Sequence, residues 1–231
     1  MRAFGTFISL ASAVTILTAM LDGTALAQSD AVYLVTYVEL MPDAAAAGAA
    51  LLKQYRGESR TQSGNLRLDV LAEIKRPNRF AIIEVWRDKA SRDAHDHSAT
   101  SAQFSEQLKP LEDAPDDVRT DHALYLGSNK SENQPGAIYV VTHIDVIPPG
   151  KEACMTALKA MSSDTANDPG NFGYDVLQQD DHSNHFTVVE EWADMKAADA
   201  HAMAVHTRAF REKLIPIKGA LYDERFYTML N

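Results

Sequence analysis

Cysteine is almost missing from this sequence, because Cys154 is the single one in 231 residues. An intramolecular disulfide is therefore impossible, whatever the redox compartment in which the protein works. No cation lies nearer to Cys154 in sequence than Lys151, so nothing close by in the chain favours the thiolate form of a reactive cysteine. We expect Cys154 to be a small packed residue.

Basic residues are also few. Lys and Arg together number 22 against 32 Asp and Glu, which leaves a net charge of -10, and no basic run interrupts the chain. Such a surface is a poor match for nucleic acid or for anionic membranes. Beyond this exclusion, the acidic balance indicates only solubility.

Only one apolar run is long, and it lies at the N-terminus. Arg2 precedes a mostly apolar stretch at 4–21. The small residues Ala25 and Ala27 then form the motif of a cleavage site before Gln28. This pattern predicts a secretory signal peptide over residues 1–27. Because the run is short and interrupted by Gly and Ser, it does not favour an uncleaved anchor. We expect a periplasmic or secreted mature protein with no membrane segment.

The rest of the chain is a duplication with a spacing of 106 residues. Tyr33-Leu-Val-Thr returns as Tyr139-Val-Val-Thr, and the motif Glu-x-Trp-x-Asp at 84–88 returns at 190–194. The two copies align without a gap from residue 31 to residue 124. A repeat of this length indicates two copies of one small domain. We assign the copies to 28–126 and 137–231, with the polar, breaker-rich segment 127–136 as a linker.

Each copy predicts the order strand, helix, strand, strand, helix, strand. The predicted strands are 32–40, 66–74, 80–86, 118–125, 138–147, 172–179, 185–192 and 220–229, and the predicted helices are 43–59, 88–111, 151–166 and 195–217. Asp43 and Asp88 are the expected N-caps of the first two helices. This order is the ferredoxin-like pattern, an antiparallel sheet with both helices on one face.

The predicted strands are apolar on both faces, whereas two helices can cover only one. Val32 and Leu34 point one way in the first strand, and Tyr33 and Val35 point the other. The uncovered face needs a second cover, and the sheet of the other copy is the available one. We therefore predict an α+β chain whose two antiparallel sheets pack face to face, as a fused two-subunit barrel. Whether this unit is a monomer or a homodimer stays open.

The Glu-x-Trp-x-Asp motif, followed by Ala-His nine residues after the Trp and then by a Phe, resembles the antibiotic biosynthesis monooxygenase family of the dimeric α+β barrel superfamily. The second copy carries it as Glu190 to Asp194, His201, His206 and Phe210, while the first copy has Thr100 where the second has His206. The resemblance spans both copies.

The resemblance implies a cofactor-independent oxidation of a phenolic or quinol-like aromatic molecule by O2. A base deprotonates the substrate, and the resulting anion reacts with O2 directly. Such a site needs a dry aromatic pocket, which the resemblance places between each sheet and its helices.

The candidate catalytic residues are aromatic or imidazole side chains: Trp86, His95, His97, Trp192, His201 and His206. On one continuous helix of 100° per residue, His97 falls on the buried stripe, whereas His201 and His206 fall on opposite flanks. His95 and His97 diverge by about 200° and cannot chelate one ion together, so we expect no metal site. A structural role is the competing interpretation for each of these residues.

The candidate substrate-binding residues are polar aromatics and two arginines: Tyr33, Tyr37, Tyr139, His143, Tyr174, Arg119 and Arg225. Their hydroxyls could hold a quinol oxygen, and the guanidinium groups could steady an anion. The competing interpretation is cross-strand packing for the aromatics and a rim ion pair for the arginines.

Two other functions stay open at this stage. One is a non-catalytic small-molecule-binding or stress-related barrel, which the differences between the copies favour. The other is a haem protein similar to the chlorite dismutases, which also carry two fused ferredoxin-like units. Because fold does not imply function, the residues of the site must decide.

Overall fold

The computed structural model describes residues 30–127 and 134–231. The predicted signal peptide lies outside these residues, as does most of the predicted linker. The strands are β1 (Val32–Glu39), β2 (Asn65–Glu73), β3 (Arg79–Trp86), β4 (Asp117–Tyr125), β5 (Ile138–Asp145), β6 (Asn171–Gln179), β7 (His185–Trp192) and β8 (Asp223–Met229). The helices are α1 (Ala45–Ser59), α2 (Lys89–Asp96), α3 (Ala99–Leu108), α4 (Lys151–Thr165), α5 (Met195–Ala202) and α6 (Val205–Leu214).

The eight strands form one closed barrel in the order β1-β3-β2-β8-β5-β7-β6-β4. Two antiparallel pairings close it, β2 with β8 and β4 with β6, and each joins a strand of one copy to a strand of the other. The fused α+β barrel predicted from the two-faced strands is therefore confirmed. Closure also removes the exposed sheet edges that an isolated copy would present.

The core lies on both faces of the strands, as the strand pattern requires. Alternate residues of the strands fill the barrel interior, including Val35, Ile83, Val141 and Val189. The opposite faces pack against the helices in a large cluster for each copy and in a smaller one around Trp192. None of the described helices is long and apolar enough to span a membrane.

The prediction of one long second helix is wrong in both copies, because each of these segments forms two helices. The chain leaves helical geometry at Ser98, whose side chain accepts a hydrogen bond from the Ser101 N–H, and at Ala204. A continuous-helix angle therefore does not apply across either break. The predicted cap at Asp43 is also wrong, since a short 3-10 turn precedes α1, whereas the cap at Asp88 is confirmed by its bond to the Ser91 N–H.

Cys154 is fully buried, and burial raises the pKa of its thiol to about 12. Gly48 occupies the same place in the first copy, where an added Cβ would lie 2.0 Å from Leu40 Cδ1. Close packing explains why both copies keep a small residue here.

The barrel interior also holds a carboxyl group without a partner. Asp121 is 1 % exposed, and neither of its oxygens accepts a hydrogen bond within the described part of the chain. Burial raises its pKa from 3.8 to about 7; Arg119 and His122 oppose this rise, while Asp180 and Asp181 add to it.

Asp121 should therefore make the fold less stable as pH rises from about 4 to about 7. The native state holds a proton on Asp121 across this range while the unfolded state has released it, so the free energy of unfolding falls, by up to about 4 kcal/mol. Chemical unfolding at pH 5 and pH 8 should show a smaller difference for Asp121→Asn than for the wild type. Asp43→Asn, at an exposed position, is the control and should keep the wild-type difference. An unchanged difference in Asp121→Asn would contradict the assignment.

Candidate active site

Each copy places a buried tryptophan at the end of its third strand. Trp86 and Trp192 are both fully buried. Their indole N–H groups donate to Glu84 Oε2 and Glu190 Oε2, each at 2.7 Å. Residues i and i+2 of a strand share a face, so the Glu-x-Trp motif places the carboxyl group beside the indole. The motif thus brings a carboxyl group into an aromatic core.

A histidine ring packs against each tryptophan. The ring centroids of His95 and Trp86 lie 4.4 Å apart, and those of His201 and Trp192 lie 4.6 Å apart. Both histidines are buried, at 1 % and 5 % exposure. The prediction that His201 lies off the buried side is therefore wrong. It assumed one helix that continues to Ile217, whereas α5 ends at Ala202 and α6 begins at Val205.

His97 does not lie on the buried side, so that prediction is also wrong. It is exposed just beyond the end of α2, and its Nδ1 contacts the Asp93 carbonyl. Met203, its counterpart in the second copy, is 69 % exposed. Both residues sit at the break between two helices, which turns them towards solvent.

In the first copy, the polar groups around Trp86 satisfy one another. The His95 ring nitrogens contact Tyr55 Oη at 2.7 Å and Gln62 Oε1 at 2.8 Å. Glu84 accepts from Tyr55 at 3.3 Å and from Arg92 at 2.9 Å. The Tyr55 ring also stacks on Phe104, with centroids 3.9 Å apart. This network occupies both nitrogens of the imidazole and pairs the carboxylate with a cation.

In the second copy, two substitutions open the equivalent network. Met161 stands where the first copy has Tyr55, and Ala198 stands where it has Arg92. Glu190 consequently has no arginine or lysine within ion-pair distance in the described part of the chain, and its nearest titratable partner is His201 Nε2, 3.8 Å from Oε2. Burial raises the pKa of Glu190 to about 8, partly offset by the Trp192 hydrogen bond. Glu190 is therefore a carboxyl group whose pKa lies close to neutral pH.

Asp168 supports the other side of His201. Its Oδ2 lies 2.7 Å from His201 Nδ1 and 3.0 Å from His206 Nε2. The rings of His201 and His206 are 5.5 Å apart, so the prediction that they lie on opposite flanks of one helix is wrong. Burial lowers the pKa of His201, and Asp168 opposes that shift. Because Nδ1 faces a carboxylate, Nε2 is the nitrogen directed at Glu190.

A pocket of 360 Å³ opens beside this cluster. Its walls are mostly apolar and come from β5, α6 and the segment before β8: Ile144, Val146, Leu214, Ile215, Ala220 and Leu221. Arg211 and Tyr222 also line it, and Arg211 donates to Glu224 at 2.9 Å. Of the lining residues, Arg211 and Tyr222 interact electrostatically with Glu190, and they are the link between the pocket and the cluster.

Tyr174 belongs to the same cluster, whereas the other predicted binding residues do not. It pairs with Glu190 across β6 and β7, and its ring lies 6.1 Å from that of His201. Burial and the charge of Glu190 raise its pKa well above 10. Tyr174 is therefore a buried hydroxyl beside the carboxyl group.

The remaining predicted binding residues line the barrel interior. Tyr37 packs edge-on against His143, at 5.0 Å between centroids, and Arg225 lies 4.7 Å from the centre of the Tyr37 ring. Arg119 lies on the same ring at 6.0 Å, and burial lowers the pKa of His143 to about 3. Tyr33 and Tyr139 are also buried in the barrel interior. The Tyr139 hydroxyl donates a hydrogen bond to Glu191 at 3.1 Å. The sheet separates all six from the Trp–His clusters.

Comparison with known proteins agrees with this geometry. The family model for antibiotic biosynthesis monooxygenase matches residues 31–107 and again 137–213. The chain belongs to the antibiotic biosynthesis monooxygenase family. No curated protein matches it significantly.

Solved structures share the two-copy fold of this family member. A protein of Fusobacterium nucleatum named "putative monooxygenase" superposes with a TM-score of 0.79 at 16 % identity, over 88 % of this chain and 94 % of its own. A second one, from Lactobacillus acidophilus, gives 0.71 at 16 % over 87 % and 95 %. An anthrone oxidase-like protein gives 0.69 at 11 % over 89 % and 93 %. At these identities the likeness shows the fold alone, and the family supports a monooxygenase-like role.

Sequence reasoning missed several residues of the site in this family member. Glu84 and Glu190 stand inside the quoted motif, and their shared face with the tryptophans was the signal that could have identified them. Asp168, Arg211 and Tyr222 have no counterpart of the same chemistry in the first copy, which has Gln62, Ser105 and Asp116. These differences were visible in the repeat, but only the folded chain shows that they converge.

The ion pair between Arg92 and Glu84 should be important for stability. Arg92→Ala leaves a buried carboxylate without its cation, and we expect the free energy of unfolding to fall by about 3 kcal/mol. Chemical unfolding measures this loss. Arg87→Ala, which breaks an exposed pair with Asp88, should cost less than about 1 kcal/mol. Adding Glu84→Gln to Arg92→Ala should restore part of the loss, and a double variant weaker than the single one would contradict the explanation.

Proposed function

We propose that the second copy is a cofactor-independent monooxygenase site that oxidises a phenolic or quinol-like molecule with O2. The observation that carries this proposal is the difference between the two copies. In the first copy, Tyr55 occupies His95 Nε2 and Arg92 pairs with Glu84. Within the described part of the chain, His201 Nε2 has no hydrogen-bond partner in the second copy, and Glu190 has no cation within ion-pair distance.

His201 is the base in this proposal. Asp168 holds its Nδ1 side, and the Trp192 ring packs against the imidazole at 4.6 Å, so Nε2 is presented to a bound hydroxyl group. Met161 leaves this nitrogen open where the Tyr55 hydroxyl covers its counterpart. Removal of the hydroxyl proton makes the aromatic ring electron-rich enough to react with O2.

The reaction balances without a further reductant. The substrate anion gives electrons to O2, a carbon–oxygen bond forms, and the O–O bond breaks as water leaves. One oxygen atom ends in a new carbonyl group, and the other leaves with two hydrogens, the hydroxyl hydrogen and the ring hydrogen that is replaced. A phenol and O2 thus give a quinone and water.

Glu190 suits the neighbourhood of a substrate anion. A pKa of about 8 keeps it largely protonated at neutral pH, so it can donate a hydrogen bond instead of repelling the anion. Because His201 and Glu190 are both buried, little water reaches the reacting atoms, which strengthens such interactions. Tyr174 adds a second donor on the same side.

The substrate is expected to enter through the 360 Å³ pocket. Ala220→Trp should fill part of it and raise the KM for oxygen uptake about tenfold or more, with little change in melting temperature. Ala114→Trp is the matched control, because Ala114 holds the equivalent place in the first copy and is also exposed. Equal KM values for the two variants would place the entrance elsewhere.

The base is tested by oxygen uptake with a panel of anthrones, hydroquinones and catechols. His201→Gln should lower kcat/KM by about 100-fold or more, since general-base catalysis contributes a factor of this size. His95→Gln, the matched change in the first copy, should leave kcat/KM within a few-fold, measured on folded protein at a temperature below both melting transitions.

Two results would contradict the proposal. An equal loss in His201→Gln and His95→Gln would show that the copies do not differ in function. A ligand that raises the melting temperature without oxygen consumption, across the whole panel, would instead identify a non-catalytic binding protein.

A further inference from the structure

Three ligand-type side chains converge where α4 ends and where the chain breaks between α5 and α6. Asp168 follows α4, His201 lies in the last turn of α5, and His206 lies in the first turn of α6. One ligand atom of each lies within 4.8 Å of the other two. We propose that Asp168, His201 and His206 bind one divalent first-row transition-metal ion.

The donor set fits this class of ion. Two imidazole nitrogens and one carboxylate oxygen suit zinc, iron, cobalt or nickel better than calcium or magnesium, which prefer oxygen ligands. Metal–ligand distances of about 2.0–2.2 Å place donor atoms about 3–4 Å apart. Asp168 Oδ2 is already 2.7 Å and 3.0 Å from the two nitrogens, so small shifts of the side chains complete the site.

A second observation points the same way. Histidines that bind metal usually present their other ring nitrogen to a carboxylate, which orients the ring. Glu190 Oε2 lies 3.8 Å from His201 Nε2, on the side of the ring away from Asp168, and the Trp192 indole holds it there. A carboxyl group thus stands on the Nε2 side of the ring, where a small shift would let it accept the hydrogen of Nε2 once Nδ1 binds the ion.

The break between α5 and α6 makes the site possible. Residues five apart on a continuous helix point about 140° away from each other, so His201 and His206 could not meet there. The first copy has the same break and the same histidine, His95, but it carries Gln62 and Thr100 in place of the other two ligands. It therefore offers a matched negative control within the chain.

Metal binding does not depend on the proposed function, although the two share His201. An ion on Nδ1 leaves the ring proton on Nε2, where it opposes acceptance of a proton from the substrate. This consequence rests on the proposed function, and it predicts that occupancy would hold the oxidation back. The binding itself is measured without any substrate.

The test is a titration of the purified, chelator-treated chain with Zn²⁺ in competition with a chromophoric chelator, repeated with Co²⁺ to read its absorption spectrum and with Fe²⁺ without air. We expect one ion per chain and a Co²⁺ spectrum that shows coordination by nitrogen and oxygen. His206→Thr and Asp168→Gln, which introduce the residues of the first copy, should each weaken binding at least tenfold.

The converse change should create a second site. Gln62→Asp with Thr100→His completes the ligand set around His95, and the stoichiometry should rise from one ion to two. His182→Ala serves as a control for the stacked, more exposed pair formed by His182 and His185. Binding that survives His206→Thr but is lost in His182→Ala, or no binding above that of the Asp168→Gln variant, would overturn the proposal.

Discussion

Strands β1, β3, β5 and β7 are buried on both faces, and the architecture follows from that constraint. The helices cover one face of each sheet, so the other faces must cover each other. The β2–β8 and β4–β6 pairings turn this contact into a continuous barrel in which neither copy keeps an open edge. The packing also divides the polar groups into two environments, the barrel interior and the layer between sheet and helices. Because alternate residues of a strand point to opposite faces, the position of a polar residue in its strand decides which of the two environments it enters.

The two copies treat the same inherited cluster differently. Both retain the Trp, Glu and His that meet between sheet and helices. In the first copy Tyr55 and Arg92 bind the histidine and the glutamate of that cluster, so its interactions stabilise the fold. In the second copy Met161 and Ala198 remove both partners, and Asp168 and His206 build a different surrounding for the same imidazole. A duplicated chain allows this division of labour, whereas a dimer of identical subunits would have to make the same compromise twice.

Most of the fold could be predicted from the sequence because it follows from patterns with a short range. Alternation, turn residues and the repeat locate the strands to within a few residues, and two-faced strands require closure. The helix breaks could not be predicted in this way. Ser98 was not recognised as a cap within an amphipathic stretch, and Ala204 has no capping side chain at all. That one error misplaced His97, His201 and His206 together, because a helical angle carried across a break assigns every later residue to the wrong side. Convergence of Asp168 or Tyr222 on Glu190 depends on contacts across elements, which no local pattern contains.

The joint between α5 and α6 is also the weaker of the two joints. In the first copy the Ser98 side chain caps α3, while Ala204 offers α6 no such bond. Loss of a serine cap typically costs about 1 kcal/mol, so the second copy holds its joint less firmly. The residues that would meet a ligand, His201 and His206, flank this softer joint. The second copy therefore carries its cluster of Asp168, His201 and His206 at a helix break that lacks the side-chain cap of the first copy.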